Sequence, residues 1–219
     1  MSREYTDPEV FTTGVRDGWA DPETDPALID WGARQGAAAI AYEVTGGRPV
    51  NPREATGITR GRNGLGRWGE NLMADALVTV SVQRQRYLLM IERRDGNGWA
   101  VPGGAVEPGE TGRQAAVREL AEETRLAVLL PAGCQVLPAR YVPDPRASDE
   151  AWAVTVPVRI GLGELAGLPF VAGADDARRA EWIRADSYAS LTATLAELFG
   201  GRVFAAHEAM LRDLLGGAS

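Results

Sequence analysis

The stretch from Gly104 to Glu123 constrains this chain more than any other. It reads Gly104, five residues, Glu110, seven residues, then Arg118-Glu119-Leu120-Ala121-Glu122-Glu123. Residues Thr111–Thr124 contain no proline, a single glycine near the start, and apolar side chains at Ala116, Val117, Leu120 and Ala121. That spacing predicts one helix with one apolar stripe. On it Glu119, Glu122 and Glu123 stand at i, i+3 and i+4, so they share a face, with Arg118 beside them. Clustered carboxylates repel one another, and their pKa values rise unless a cation sits among them. A hard divalent ion with oxygen ligands is the predicted partner, and Mg²⁺ is the usual one beside phosphates. One side of this helix docks on a sheet and the other presents ligands.

The surroundings supply that sheet. Val78, Val80 and Val82 alternate with polar residues, and Arg86–Ile91 is a mostly apolar run suited to a buried strand. Trp152, Val154, Val156, Val158 and Ile160 alternate along another strand, where Pro157 predicts an edge or a bulge. Arg179–Arg184 reads as a shorter strand. Two helices are expected near 190–199 and 203–215, with Gly200-Gly201 between them. Strands and helices mixed in this way indicate an α/β fold. Residues 1–72 are broken by Pro, Gly and Asp and predict a less regular N-terminal lobe, with one short helix over Ala27–Gln35. The division expected is a lobe at 1–72, which can contribute to a substrate pocket, and a core domain at 73–219.

The loop before the acidic helix carries Gly103-Gly104 and Pro108-Gly109, which permit turns that most residues resist. They let backbone groups approach a metal or a phosphate. Glu110, just ahead of the helix, is placed to pair with Arg118 and fix the loop.

The 219 residues carry a net charge of −7, which argues against a nucleic-acid surface. An acidic chain with an anionic substrate needs a metal, an arginine cluster or both. The one cysteine, Cys134, excludes an intramolecular disulfide and fits a reducing compartment. No apolar run is long enough for a membrane helix. The first residues lack the layout of a signal peptide, so cytoplasm is the expected location.

The spaced pattern resembles the Nudix box, G-x5-E-x7-R-E-U-x-E-E-x-G-U with U apolar. Gly104, Glu110, Arg118, Glu119, Leu120, Glu122, Glu123 and Leu126 match, while Arg125 stands where the pattern has glycine. The resemblance implies an α/β/α sandwich around a mixed sheet and hydrolysis of nucleoside diphosphates linked to another moiety. It implies Mg²⁺, or Mn²⁺ as a substitute, held by Glu119, Glu122 and Glu123 with a Gly103 or Gly104 carbonyl. Those three glutamates are the expected catalytic residues, and Glu110 and Arg118 the structural ones.

The resemblance extends beyond the box. Gly64-Leu65-Gly66-Arg67-Trp68-Gly69-Glu70-Asn71 with Asp75, Tyr141–Arg146 with Trp152, and Ala172–Asp176 resemble mitochondrial-type ADP-ribose diphosphatases and the ADP-ribose sensor domain of a related cation channel. The expected substrate contacts are Arg67, Trp68, Asp144, Arg146, Phe204 and His207. Arg67, with Arg60 and Arg62, can wrap phosphates, because the guanidinium fork suits phosphate oxygens. Asp144 and Arg146 can serve ribose and phosphate. Trp68 or Phe204 can stack on adenine. Asp175-Asp176 reads as a solvated turn, and His207, the one histidine, as more structural than catalytic. The expected reaction turns ADP-ribose into AMP and ribose 5-phosphate. The alternatives are another substrate, such as a nucleotide sugar, a dinucleoside polyphosphate or a modified ADP-ribose, or an ADP-ribose-binding module without turnover. The acidic residues at 122 and 123 favour the enzyme.

Overall fold

The structure, a computed structural model, describes residues 3–53, 55–128 and 134–216. Met1 and Ser2, which open the N-terminal stretch read above, lie outside them. In chain order the elements are β1 (Glu4–Thr6), α1 (Pro8–Phe11), α2 (Thr13–Arg16), α3 (Trp31–Ala37), β2 (Glu43–Thr45), β3 (Arg48–Val50), β4 (Arg60–Asn63), β5 (Gly69–Val82), β6 (Gln85–Arg93), β7 (Trp99–Ala100) and β8 (Gly103–Ala105). Then come α4 (Gly112–Thr124), β9 (Gln135–Val136), β10 (Arg140–Val142), β11 (Ala151–Glu164), β12 (Ala177–Arg184), α5 (Tyr188–Phe199) and α6 (Glu208–Gly216). The chain divides into one unit of Met1–Leu72 with Ala139–Thr155 and another of Met73–Pro138 with Val156–Ser219. The strands β5 and β11 each begin in the first unit and end in the second.

In the second unit the sheet runs β11-β5-β6-β12. β6 pairs antiparallel with both β5 and β12. Side chains alternate between its faces, as a pleated strand requires. Ala74, Ala76 and Val78 of β5 and Leu89 and Ile91 of β6 form one core with Ala115, Ala116 and Leu120 of α4. Leu77, Leu88 and Met90 point the other way, into a core with Leu191 and Leu195 of α5 and Met210 and Leu211 of α6. β6 therefore loses water on both faces, which is why Leu88–Ile91 reads as an unbroken apolar run. Each such buried side chain contributes roughly 1.5–3 kcal/mol. The result is the α/β/α sandwich that the pattern implied.

In the first unit Trp31, Tyr42, Trp68, Trp152 and Val154 form the core. Tyr42 meets Trp152 edge-on at 5.0 Å and Trp31 at 6.4 Å. A second node surrounds the buried Glu150. Its carboxylate accepts hydrogen bonds from Arg48 Nη1 at 2.7 Å, Arg60 Nη1 at 2.9 Å and Gly61 N at 2.8 Å.

Three sequence expectations shift. The helix expected over Ala27–Gln35 splits into a single 3-10 turn at Pro26–Leu28 and α3 from Trp31, because Asp25 and Asp30 each cap a separate start. The last helix begins at Glu208, not at 203. Ala205–His207 forms a 3-10 turn instead, with His207 N donating to Phe204 O at 2.9 Å. Gly103 and Gly104 lie in β8, opposite Asp75 and Ala74, and not in a turn. Pro157 falls where β11 changes partner, between Thr155 opposite Arg140 and Val158 opposite Val136.

Candidate active site

Helix α4 starts at a capping box. Thr111 caps Gln114 N, and the Gln114 side chain accepts from Thr111 N. Ala115, Ala116 and Leu120 are fully buried, Glu123 is buried with them, and the adjoining face of the helix meets β8, with Glu119 against Gly104 and Glu123 against Gly103. That face carries Arg118, Glu119, Glu122 and Glu123.

Arg118 organises the face, and every nitrogen of its guanidinium is engaged. Nε donates to Glu110 Oε1 at 2.9 Å and Nη2 to Glu110 Oε2 at 3.0 Å. Nη2 also donates to Ala105 O at 2.9 Å. Nη1 donates to Glu119 Oε1 at 2.8 Å and to Glu122 Oε2 at 3.0 Å. The pairing of Glu110 with Arg118 expected from the sequence is present. Just ahead of Glu110 the loop turns at Pro108-Gly109, where Gly109 has φ +84° and Glu110 N donates to Glu107 O.

The two glycines of β8 are there for closeness. A Cβ on Gly104 would collide with the Glu119 carboxylate, and one on Gly103 with the Asp75 carboxylate. Gly103 N donates to Glu123 Oε2 at 2.9 Å. Burial pushes the Glu123 carboxyl up to about 8, with the nearby charges of Glu119 and Asp176 adding to the rise and Arg93 opposing it. Burial also raises Glu119, against the pull of Arg118. Arg118 holds Glu110 below the ordinary glutamate range.

Among the described residues, no three His, Cys, Asp or Glu side chains stand close enough together to hold a metal ion as they are. The donor chemistry nonetheless fits a hard dication. Two carboxylates are desolvated, and the cation that bridges Glu119 to Glu122 is a guanidinium on the same helix. A metal ion there would replace the Nη1 contacts, while Nε and Nη2 keep Arg118 on Glu110.

The other expected residues fall as follows. In the first unit Trp68 is 4% exposed, donates from its indole to Glu23 O, and has the Arg62 guanidinium 5.3 Å from its ring centroid. It packs the unit and does not offer an open ring. Arg62 is fully buried, donating to Asp21 O and Gly66 O, and Arg60 is spent on Glu150. Neither wraps phosphates in this arrangement. Arg67 is half-buried, and its backbone is clamped at both ends by Asn71. Asp144 and Arg146 bind each other through three side-chain contacts of 3.0, 3.3 and 2.6 Å. In the second unit Phe204 meets His207 edge-on at 5.3 Å, and Arg93 lies over the Phe204 ring. His207 is 7% exposed. Its Nδ1 accepts from Val101 N, and Nε2 faces Asp75 Oδ1 at 3.6 Å. Cys134 packs against the α4-side core.

Two features went unread in the sequence. The turn before β12 docks on the end of α4, with Ala172 N donating to Thr124 O and Ala174 N to Glu123 O. That brings Asp175 and Asp176 close enough to raise Glu119 and Glu123. Arg93, at the end of β6, pairs with Ala177 next to that turn, and its only sequence signal is the acid two residues on.

A NUDIX domain model matches residues 72–201, more than half of the chain, and the chain belongs to the NUDIX family. The mitochondrial ADP-ribose pyrophosphatase of Rattus norvegicus is 30% identical over 83% of this chain and 63% of its own. A Nematostella vectensis protein named transient receptor potential cation channel subfamily M member-like 2 is 35% identical over 82% of this chain and 14% of its own. Among solved structures, a bifunctional NMN adenylyltransferase/ADP ribose pyrophosphatase from Francisella tularensis matches with 25% identity and a TM-score of 0.52, over 68% of this chain and 41% of that one. The chain therefore spans less than two thirds of each of these three proteins. No helix among the described residues is long and apolar enough to cross a membrane.

Proposed function

We propose that this protein hydrolyses the diphosphate bond of ADP-ribose, giving AMP and ribose 5-phosphate, with Mg²⁺ held by Glu119, Glu122 and Glu123 and a Gly103 or Gly104 carbonyl. Mn²⁺ is the expected substitute. The observation that carries this reading is two carboxylates of one helix face, the half-buried Glu119 and the buried Glu123, pressed against two glycines of β8. Carboxylates kept from water at such a cost call for a strong cation. The pyrophosphatase relatives supply the substrate class.

When bound, the metal would polarise the phosphoryl oxygens and lower the pKa of an attacking water. The chain's own residues position. Glu110 holds Arg118, Arg118 holds the loop through Ala105 O, and β8 sets the distance from backbone to carboxylate. One water adds to phosphorus and one P–O–P bond breaks, its oxygen leaving with the other phosphate. We assign Arg67, Asp144 and Arg146 to phosphate and ribose contacts, and Phe204 and His207 to the border of the substrate. Trp68 stiffens the loop that presents Arg67.

Product analysis after incubation with ADP-ribose and MgCl₂ tests this. AMP and ribose 5-phosphate in equal amounts are expected. Intact ADP-ribose, with turnover of a nucleotide sugar or a dinucleoside polyphosphate in the same panel, would redirect the substrate. The channel relative favours a second reading, an ADP-ribose-binding module without turnover. Calorimetric binding with no product would establish it.

A further inference from the structure

Arg93 is a guanidinium that the box does not consume. It closes β6, where it pairs with Ala177, and its N donates to Gly98 O. Asp95 takes one edge of it, through contacts of 3.1 and 3.0 Å to Nε and 2.6 Å to Nη2. Phe204 takes one face, with the guanidinium carbon 4.6 Å from the ring centroid. Phe204 is in turn fixed by its N donating to Trp99 O at 2.7 Å and by the ring of His207. Two independent restraints therefore aim this side chain. The side chain is 30% exposed, and among the described residues Nη1 has no hydrogen-bond partner. Its partner Ala177 donates to Ala174 O at 2.9 Å, and Ala174 N donates to Glu123 O at 2.9 Å, so the strand pairing sets Arg93 next to the turn that docks on the end of α4. Its neighbour Arg94 is spent on Asp175 O.

An anionic substrate that approaches Glu119, Glu122, Glu123, Asp175 and Asp176 meets repulsion. Arg118 is held to Glu110 and Ala105 O through Nε and Nη2, and in the metal-free chain its Nη1 is taken by Glu119 and Glu122. Arg93 offers one open guanidinium edge next to the turn that docks on Glu123, with its rotamer entropy already lost to Asp95 and Phe204. A guanidinium fixed in this way gives up less freedom per hydrogen bond that it forms.

We propose that Arg93 binds a phosphate oxygen of the nucleoside diphosphate substrate at the acidic helix, and that Asp95 and Phe204 are the residues that position it. This rests on the diphosphate hydrolysis proposed above. A phosphate contact from a fixed guanidinium is a charge-assisted hydrogen bond, and losing one costs about 10- to 100-fold in binding.

The test uses the full chain with R93A, R93K and D95N. For R93A, kcat/KM for ADP-ribose should fall about 10- to 100-fold. Added guanidinium should restore part of it, a response that a purely structural role would not give. R93K should recover only part, since an ammonium keeps the charge but loses the fork and the stack. D95N should raise KM more than it lowers kcat. Mn²⁺ binding, followed by electron paramagnetic resonance, should be as tight in R93A as in wild type or tighter, because R93A removes a positive charge and no carboxylate. Calorimetry of ADP-ribose with metal-free protein should show weaker binding to R93A. If R93A melts lower than wild type, R93K carries the comparison. R93A and R93K with wild-type KM and wild-type ADP-ribose affinity would overturn the proposal. No turnover by the wild type would sink the hydrolysis instead, while the metal-free titration would still report on Arg93.

Discussion

Glu110 and Arg118, eight residues apart, meet through two parallel hydrogen bonds of 2.9 and 3.0 Å that tie the glycine-containing loop to the helix it precedes. A carboxyl held below its ordinary range by a folded-state partner adds stability above its unfolded pKa, and that stability is lost as pH falls through the folded value. We expect the metal-free protein to lose stability in acid, below the ordinary glutamate value of 4.5. Denaturant titrations across that window should show a smaller loss in E110Q. Equal slopes in both proteins would show that the pair does not couple folding to protons.

Arg125 occupies the left-handed region at φ +59°, where α4 ends. A side chain in that conformation costs roughly 1–2 kcal/mol, and glycine avoids it. R125G should therefore raise stability by about 1 kcal/mol after the entropy of the extra glycine is set against the gain. A lower Tm for R125G would mean that the arginine side chain supplies an offsetting contact.

The buried Glu150 makes its two arginines unequal to itself. Arg48 and Arg60 are 36% and 49% exposed, so each can turn to water if the acid is removed. The acid cannot. R48A/R60A should thus cost about 3–5 kcal/mol, the penalty of a buried charge left alone, while E150Q costs less. Urea unfolding of the two variants checks the order, and an equal loss in both would contradict it.

E122Q and E123Q should each lower turnover of ADP-ribose with little change in folding. Removing an outer partner of a metal site typically costs 10–100-fold, so loss of a ligand should exceed about 100-fold. Chelation by EDTA should abolish turnover and added Mg²⁺ restore it. Activity at wild-type level in E123Q would remove the metal assignment.

Much of the fold was legible because it depends on local periodicity. The i, i+3, i+4 set at 119, 122 and 123, and the alternation along β5 and β11, are statements about one helix face or one pleat. Gly103-Gly104 misled because glycine answers two different needs. A positive φ and a close neighbour leave the same letter in the sequence, and here it was the neighbour, Glu119. Arg62 looked like a phosphate ligand because its loop is rich in glycine, yet its partners are Asp21 O and Gly66 O, and the distant Asp21 has no local signature. Arg93 and Asp175 matter through what the fold brings beside Glu123 and Glu119, which no window of neighbouring residues contains.

The contact of Gly104 with Glu119 has an evolutionary corollary. A single methyl group on the strand would evict an acid from the helix, so the acid's address is written on another element as an empty space. Position 104 can therefore change in a lineage only after the helix has moved or the acid has been abandoned, which makes the order of mutations there one-directional.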